Sequence, residues 1–302
     1  MRWQNFLGII FAVFLILLFV SYMFIPFNDL EFSFDRNTNF SLVDENINLQ
    51  FYPNMRFPTM NISYEIKDKC NLQKQGDVLR AFEILNEDTI LDFYEVIGNG
   101  EIKISCEDKN RVEDGLFIAG EGGPTNITES GNFHVITEGE ILLIRKSSCE
   151  EPNIAIHEIL HVLGFNHSNN KNNILYPVSN CKQRMGEEIA GEIDKLYSVP
   201  TLPDLSLTSA SAIKHGRYLD INFSVENSGL IGSEKAVVIV YADGKKIDKL
   251  EVDELQVGHG RKIDITNLWI SQLKLEFLEL VIETNLVELT KENNNIVLQI
   301  KK

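Results

Sequence analysis

Basic residues are scarce in this chain. Lys and Arg number 28 against 44 Asp and Glu, which gives a formal net charge of −16 and a pI near 4.8. No basic stripe forms, and that argues against nucleic acid as a partner. Gly (19) and Pro (8) are not in excess, as expected for a folded chain. No two of the four cysteines stand as C-x-x-C, so a cysteine-based zinc site is not indicated. The stretch from Gly115 to Pro124 reads as a glycine-rich loop and lacks G-x-x-x-x-G-K-[ST], which removes the phosphate-cradling reading. Residues 28–60 contain no cysteine, so a thiol-based latency device is not available there.

What the chain has in abundance comes first in order. Residues 6–27, FLGIIFAVFLILLFVSYMFIPF, carry no charge, and about 20 apolar residues suffice to span a bilayer as a helix. Arg2 precedes the run, and Asp29 and Glu31 follow it. The positive-inside tendency then places the N-terminus in the cytoplasm and the rest outside. A cleaved signal peptide is the rival, but Ser21-Tyr22-Met23 is a poor A-x-A-like site. The expectation is an uncleaved single-pass anchor over residues 1–28, then a stalk or short pro-like segment over 29–60. The remaining length allows two domains of ordinary size.

The most informative stretch is His157-Glu158-Ile159-Leu160-His161-Val162-Leu163-Gly164-Phe165-Asn166-His167, the pattern H-E-x-x-H-x-x-G-x-x-H. Histidines four apart on a helix lie on one face, so both imidazoles reach one ion. Gly164 can adopt the left-handed conformation that ends the helix and returns His167 as a third ligand. Three protein ligands leave a fourth zinc position open, the arrangement of a catalytic site. Glu158 follows the first ligand, where its carboxylate can hold a metal-bound water. Five fixed types at about one in twenty each give a chance match of roughly one in a few million per position.

Around this stretch, Asn61–Ile66 alternates as a half-buried strand does, and Gln75–Glu87 has the spacing of an amphipathic helix. Leu91–Ile97, Asn99-Gly100 and Glu101–Cys106 read as a hairpin with a two-residue turn. Phe133–Ile136 and Ile141–Arg145 read as two strands bracketing Glu138-Gly139, and the metal helix is expected to begin near Pro152. The order is that of an α+β domain. Four cysteines in an exported domain imply disulfides, and they allow three pairings. Bridging Cys149 to Cys181 would tie the loop before the metal helix to a loop after it, leaving Cys70 with Cys106.

The zinc stretch resembles the metzincin signature, and its surroundings resemble the matrixin branch. His167-Ser168 followed by Asn173-Ile174-Leu175-Tyr176-Pro177 is similar to the run that leads into the matrixin Met-turn, and Glu187–Tyr197 is similar to the closing helix. The resemblance covers residues 61–198 and implies a mixed twisted sheet, an active-site helix and a closing C-terminal helix. It also implies one catalytic Zn2+, protein or peptide substrates, and an edge strand near Ile141–Ile144 that pairs with substrate. The Met-turn position carries Leu175, a departure in which one apolar side chain of similar volume replaces another. Calcium is common in matrixins, but no acidic loop motif supports it here.

After Ser198–Leu205 (SVPTLPDL), which reads as a linker, the pattern changes to short alternating strands with a tight turn at Asp243-Gly244. About seven strands in a hundred residues suggest an antiparallel sandwich. Pro203-Asp204-Leu205, Ser224 to Gly229 and Glu292 to Ile296 resemble the CARDB family, an immunoglobulin-like module of prokaryotic surface proteins. The sequence reading is therefore an extracellular zinc endopeptidase anchored in the cell membrane, with a catalytic domain at 61–198 and a β-sandwich at 199–302. Its competitor is a surface adhesion protein that keeps the metzincin fold without turnover; the presence of Glu158 tells against it. Oligomeric state is not legible in the sequence.

Overall fold

The computed structural model describes residues 3–23, 30–35, 49–67, 69–109, 111–113 and 116–300. Helix α1 spans Trp3–Met23, and its apolar side chains at Ile10, Phe11 and Phe14 stand exposed. The membrane-spanning expectation is not carried by the structure, because among the described residues no helix is long and apolar enough to cross a membrane. Residues 24–27 of the expected span, and several side chains of α1, lie outside the described residues.

Of residues 29–60, the described stretches 30–35 and 49–60 contribute to the two folded domains. Strand β1 (Leu30–Asp35) lies in the sheet of the C-terminal domain. Residues 49–57 pack on the first domain, where β2 (Met55–Arg56) pairs with β9 (Phe133–Leu143). Met55 and Phe57 are fully buried in its core. Arg56 is buried as well. Its guanidinium donates to the carbonyls of Phe57, Pro58, Leu196 and Val199 and lies 4.1 Å from the Tyr197 ring. A buried cation needs such partners; these carbonyls also fasten the start of the domain to its end.

The alternation at Asn61–Ile66 gives β3 there. Asn71 caps α2 (Leu72–Asp88) by accepting from the Lys74 amide, and the helix buries Val78, Ala81, Phe82 and Leu85. Each large apolar side chain so buried contributes about 1.5–3 kcal/mol. Strands β4 (Asp92–Glu95) and β5 (Ile102–Cys106) do not form the expected hairpin. Both run parallel to β3, on opposite sides of it. The Asn99-Gly100 connection crosses the backbone of β3 instead. A Cβ on Gly100 would stand 2.6 Å from the Glu65 nitrogen, so the crossing needs glycine.

A two-stranded ribbon, β6 (Arg111–Glu113) with β7 (Leu116–Ile118), precedes β8 (Gly120–Ser130). The glycine-rich stretch expected as a loop is thus largely strand. The two strands expected on either side of Glu138-Gly139 are the single β9, since its pairings with β8 and β5 run on through those residues. The sheet order is β2-β9-β5-β3-β4, with β8 antiparallel to β9. The edge strand is therefore β8. Ile141–Ile144, expected at the edge, is flanked by β5 and β8 as far as Leu143.

Helices α3 (Asn153–Val162) and α4 (Glu187–Tyr197) complete the domain. Cys70 pairs with Cys106, and Cys149 with Cys181. The second domain is all β: β10 (Leu205–His215), β11 (Tyr218–Asn227), β12 (Ala236–Ala242), β13 (Lys245–Val252), β14 (Gly260–Trp269), β15 (Phe277–Glu283) and β16 (Asn295–Ile300). The turn at Asp243-Gly244 has φ of 47° and 73°, the paired positive values of a two-residue hairpin.

Candidate metal centre

The metal motif falls on α3 and the turn after it. Eight residues from Ala155 to Val162, His157, Glu158 and His161 among them, are buried, so this helix is core on nearly every side. Gly164 has φ of +93°, and a Cβ there would stand 2.5 Å from the Met55 side chain; both facts call for glycine. The chain then doubles back, and the ring nitrogens of His157, His161 and His167 lie within 4.8 Å of one another.

The ring orientations follow from what each histidine touches. His157 Nδ1 lies 2.7 Å from the Ile174 carbonyl and His161 Nδ1 2.7 Å from the Phe165 carbonyl. A carbonyl only accepts, so both Nδ1 atoms carry the hydrogen and both Nε2 atoms present lone pairs. Those two lone-pair nitrogens stand 2.9 Å apart. Two acceptors at that separation repel, and a shared cation relieves the repulsion. Burial lowers the pKa of His157, and holds that of His161 down to about 4. Neutral imidazoles, fixed through Nδ1 and convergent through Nε2, are what zinc requires.

Glu158 sits where β8 crosses the helix. A Cβ on Gly120 would come within 2.8 Å of the Glu158 Cγ and 2.9 Å of its Oε1, and one on Gly122 would strike the Glu158 carbonyl oxygen. Glycine at these positions allows the strand to lie directly on the catalytic turn of the helix. Burial, with Glu121 nearby, raises the Glu158 carboxyl to about 8 against the pull of a Gly122 backbone hydrogen bond. The signal for these glycines was in the sequence as alternate glycines within a strand, which mark close backbone approach.

Leu175 is buried in the domain core. The turn around it is ordered by Asn173, whose Oδ1 accepts from the Leu175 amide and whose Nδ2 donates to Glu188. The same turn supplies the Ile174 carbonyl that orients His157. One wall of the cleft is residues 177–181. It is tied down by the Cys149–Cys181 disulfide and by the Asn153 amide, which donates to the carbonyls of Asn180 and Gln183. On the other side, the Phe51 amide donates to the Gly164 carbonyl and the Phe51 ring stands 5.8 Å from that of His161. Sequence reasoning assigned Phe51 no place near the metal. His134 lies away from it, stacked on Tyr52 and bonded to the Pro53 carbonyl.

Comparison with known proteins agrees with this geometry. Residues 56–198 match the model of the Matrixin family, peptidase family M10, and residues 202–299 match that of CARDB. No curated protein matches significantly. Among solved structures, the chain is similar to the CARDB domain of a Pyrococcus furiosus protein in complex with di-metal ions. It shares 18% identity with a TM-score of 0.29, over 33% of this chain and 87% of that one. A domain of a proposed cell surface protein from Methanosarcina acetivorans gives 18% identity and a TM-score of 0.28, over 33% and 93%. The chain therefore carries a region that matches the Matrixin family, over 56–198, followed by one that matches CARDB, over 202–299.

Proposed function

We propose that the protein is a zinc endopeptidase in which His157, His161 and His167 hold the metal and Glu158 is the general base. The observation that carries this reading is the convergence of two Nδ1-anchored histidines and a third on one point, with the buried carboxyl of Glu158 next in the chain to the first of them. Zinc bound there supplies Lewis acidity for the scissile carbonyl and brings the pKa of a bound water towards 7. With the metal held there, Glu158 would be the residue to accept the proton of the attacking water and to return it to the leaving amine. Burial raises this carboxyl, and a dication beside it would draw it back down, leaving it able to accept a proton near neutral pH.

An extended peptide would pair with the outer edge of β8, whose inner edge is already taken by β9. Its side chains would then face the cleft between the helix and the 177–181 wall. The catalytic unit of this reading includes residues 49–57 as well as 61–198, because the Met55 and Phe57 side chains are part of its core. The uncharged run at 6–27 is read as a membrane anchor, with both folded domains outside the cell. Two disulfides support an oxidising compartment. The test is hydrolysis of unstructured protein substrates with and without chelator. Cleavage that chelator stops and zinc restores supports the reading; full zinc occupancy without cleavage would favour a surface binding protein.

A further inference from the structure

The CARDB match begins at residue 202, yet the sheet of that domain contains a strand from residues 30–35. The domain's own strands run β13-β12-β15-β16 on one side and β10-β11-β14 on the other. Among the described residues β16 and β10 share no ladder of their own; β1 lies between them and joins them. It pairs antiparallel with β10 at six positions, from Leu30 opposite Lys214 to Asp35 opposite Ser209. It pairs with β16 at two, Phe32 opposite Ile300 and Ser33 opposite Gln299. Phe32 is 1% exposed and belongs to the domain core, Leu30 packs against that core, and Glu31 between them is exposed. This alternation is that of a strand docked with one face inward.

We propose that the open edge between β10 and β16 is a strand-binding site, that its occupant is the chain's own residues 30–35, and that this pairing holds the N-terminal segment to the folded domains without the covalent link. Unpaired strand edges are templates for an added strand, and strand addition gains main-chain hydrogen bonds plus inward-facing side chains. Here both are present, although the whole matrixin domain lies between β1 and β10 in sequence. A chain cut between residues 35 and 49 would stay in one piece. One consequence rests on the anchor reading above. Since β1 starts at Leu30 and α1 ends at Met23, the intervening six residues reach roughly 20 Å at most. The CARDB domain, not the catalytic one, would then be the part held beside the membrane.

The test uses the full chain in detergent with Glu158→Gln, an N-terminal tag, and a recognition sequence for a specific protease inserted within residues 36–48. After cutting, capture through the tag should retain residues 49–302 at one to one and at the size of a single chain. Denaturant should release them. The same cut protein with Phe32→Asp should release them in buffer, while its uncut form keeps its circular dichroism. Release of the unsubstituted cut protein overturns the proposal. So does retention that Phe32→Asp leaves unchanged, and so does a complex of twice the size, which would mean that the strand comes from a second copy. The readout involves neither membrane insertion nor hydrolysis, so it can fail while the enzyme reading stands, or succeed while that reading fails.

Discussion

Glu158 and the two glycines against it form the most sensitive group in the molecule. Glu158→Gln removes the proton acceptor but keeps the volume, so hydrolysis should fall about 100- to 10,000-fold with zinc content unchanged by metal analysis. Gly120→Ala places a methyl 2.8 Å from the Glu158 Cγ. It should displace the carboxyl and lower kcat, up to ~100-fold for a shift of about 1 Å, again with zinc retained. Gly123→Ala is the control, because nothing lies within 4 Å of a Cβ there. At Leu175 the opposite holds: Leu175→Met exchanges apolar side chains of similar volume and should change stability by less than about 1.5 kcal/mol, read from the urea midpoint.

At the scale of elements, α3 depends on histidines that burial keeps neutral. In the folded protein His161 has its pKa held down to about 4 from an ordinary 6.5. As pH falls below 6.5 the unfolded chain takes up the proton first, so the chelated protein should lose stability progressively between about 6.5 and 4. Urea midpoints across that range should show a weaker slope for His161→Gln than for the parent chain. The elements themselves were unevenly legible. Asn61–Ile66, the helix around Gln75–Glu87 and the strands of the tail could be read because their periodicity is local, whereas the closing helix was reached through the family resemblance. The false hairpin at 91–106 arose because Asn99-Gly100 has turn chemistry, while its use, crossing β3, depends on a strand some 35 residues earlier. Strand β8 was hidden by glycines whose reason is Glu158, a partner that no local pattern shows. The three candidate histidines were legible because His157 and His161 stand one helical turn apart and Gly164 marks the turn that precedes His167; Phe51 was not, because only tertiary pairing with Gly164 brings it there.

In the whole molecule the two domains share structure. The tip of the β8–β9 hairpin enters the CARDB loops: Ser130 Oγ donates to the Gly229 carbonyl at 2.6 Å, and Phe133 and Val135 pack with Leu230 in a small buried cluster. The strand that lies on Glu158 at one end is thus held by the second domain at the other. Leu230→Asp should open this cluster, and calorimetry should then show two unfolding transitions where the parent shows one. Arg56 makes a comparable tie between the first residues of the catalytic domain and the linker. Arg56→Met takes the guanidinium donor from the carbonyls of Phe57, Leu196 and Val199, while that of Pro58 keeps the Thr201 hydroxyl, and should cost about 3 kcal/mol, measured by chemical denaturation.

The central claim is that this arrangement hydrolyses peptide bonds with Glu158 as base. It is tested most directly by incubating zinc-loaded protein and its Glu158→Gln variant, at equal zinc content, with an unfolded protein substrate and following fragments by mass spectrometry. The account predicts chelator-sensitive cleavage by the first and none above background by the second. Equal cleavage by both, or no cleavage by either at full zinc occupancy, would contradict it.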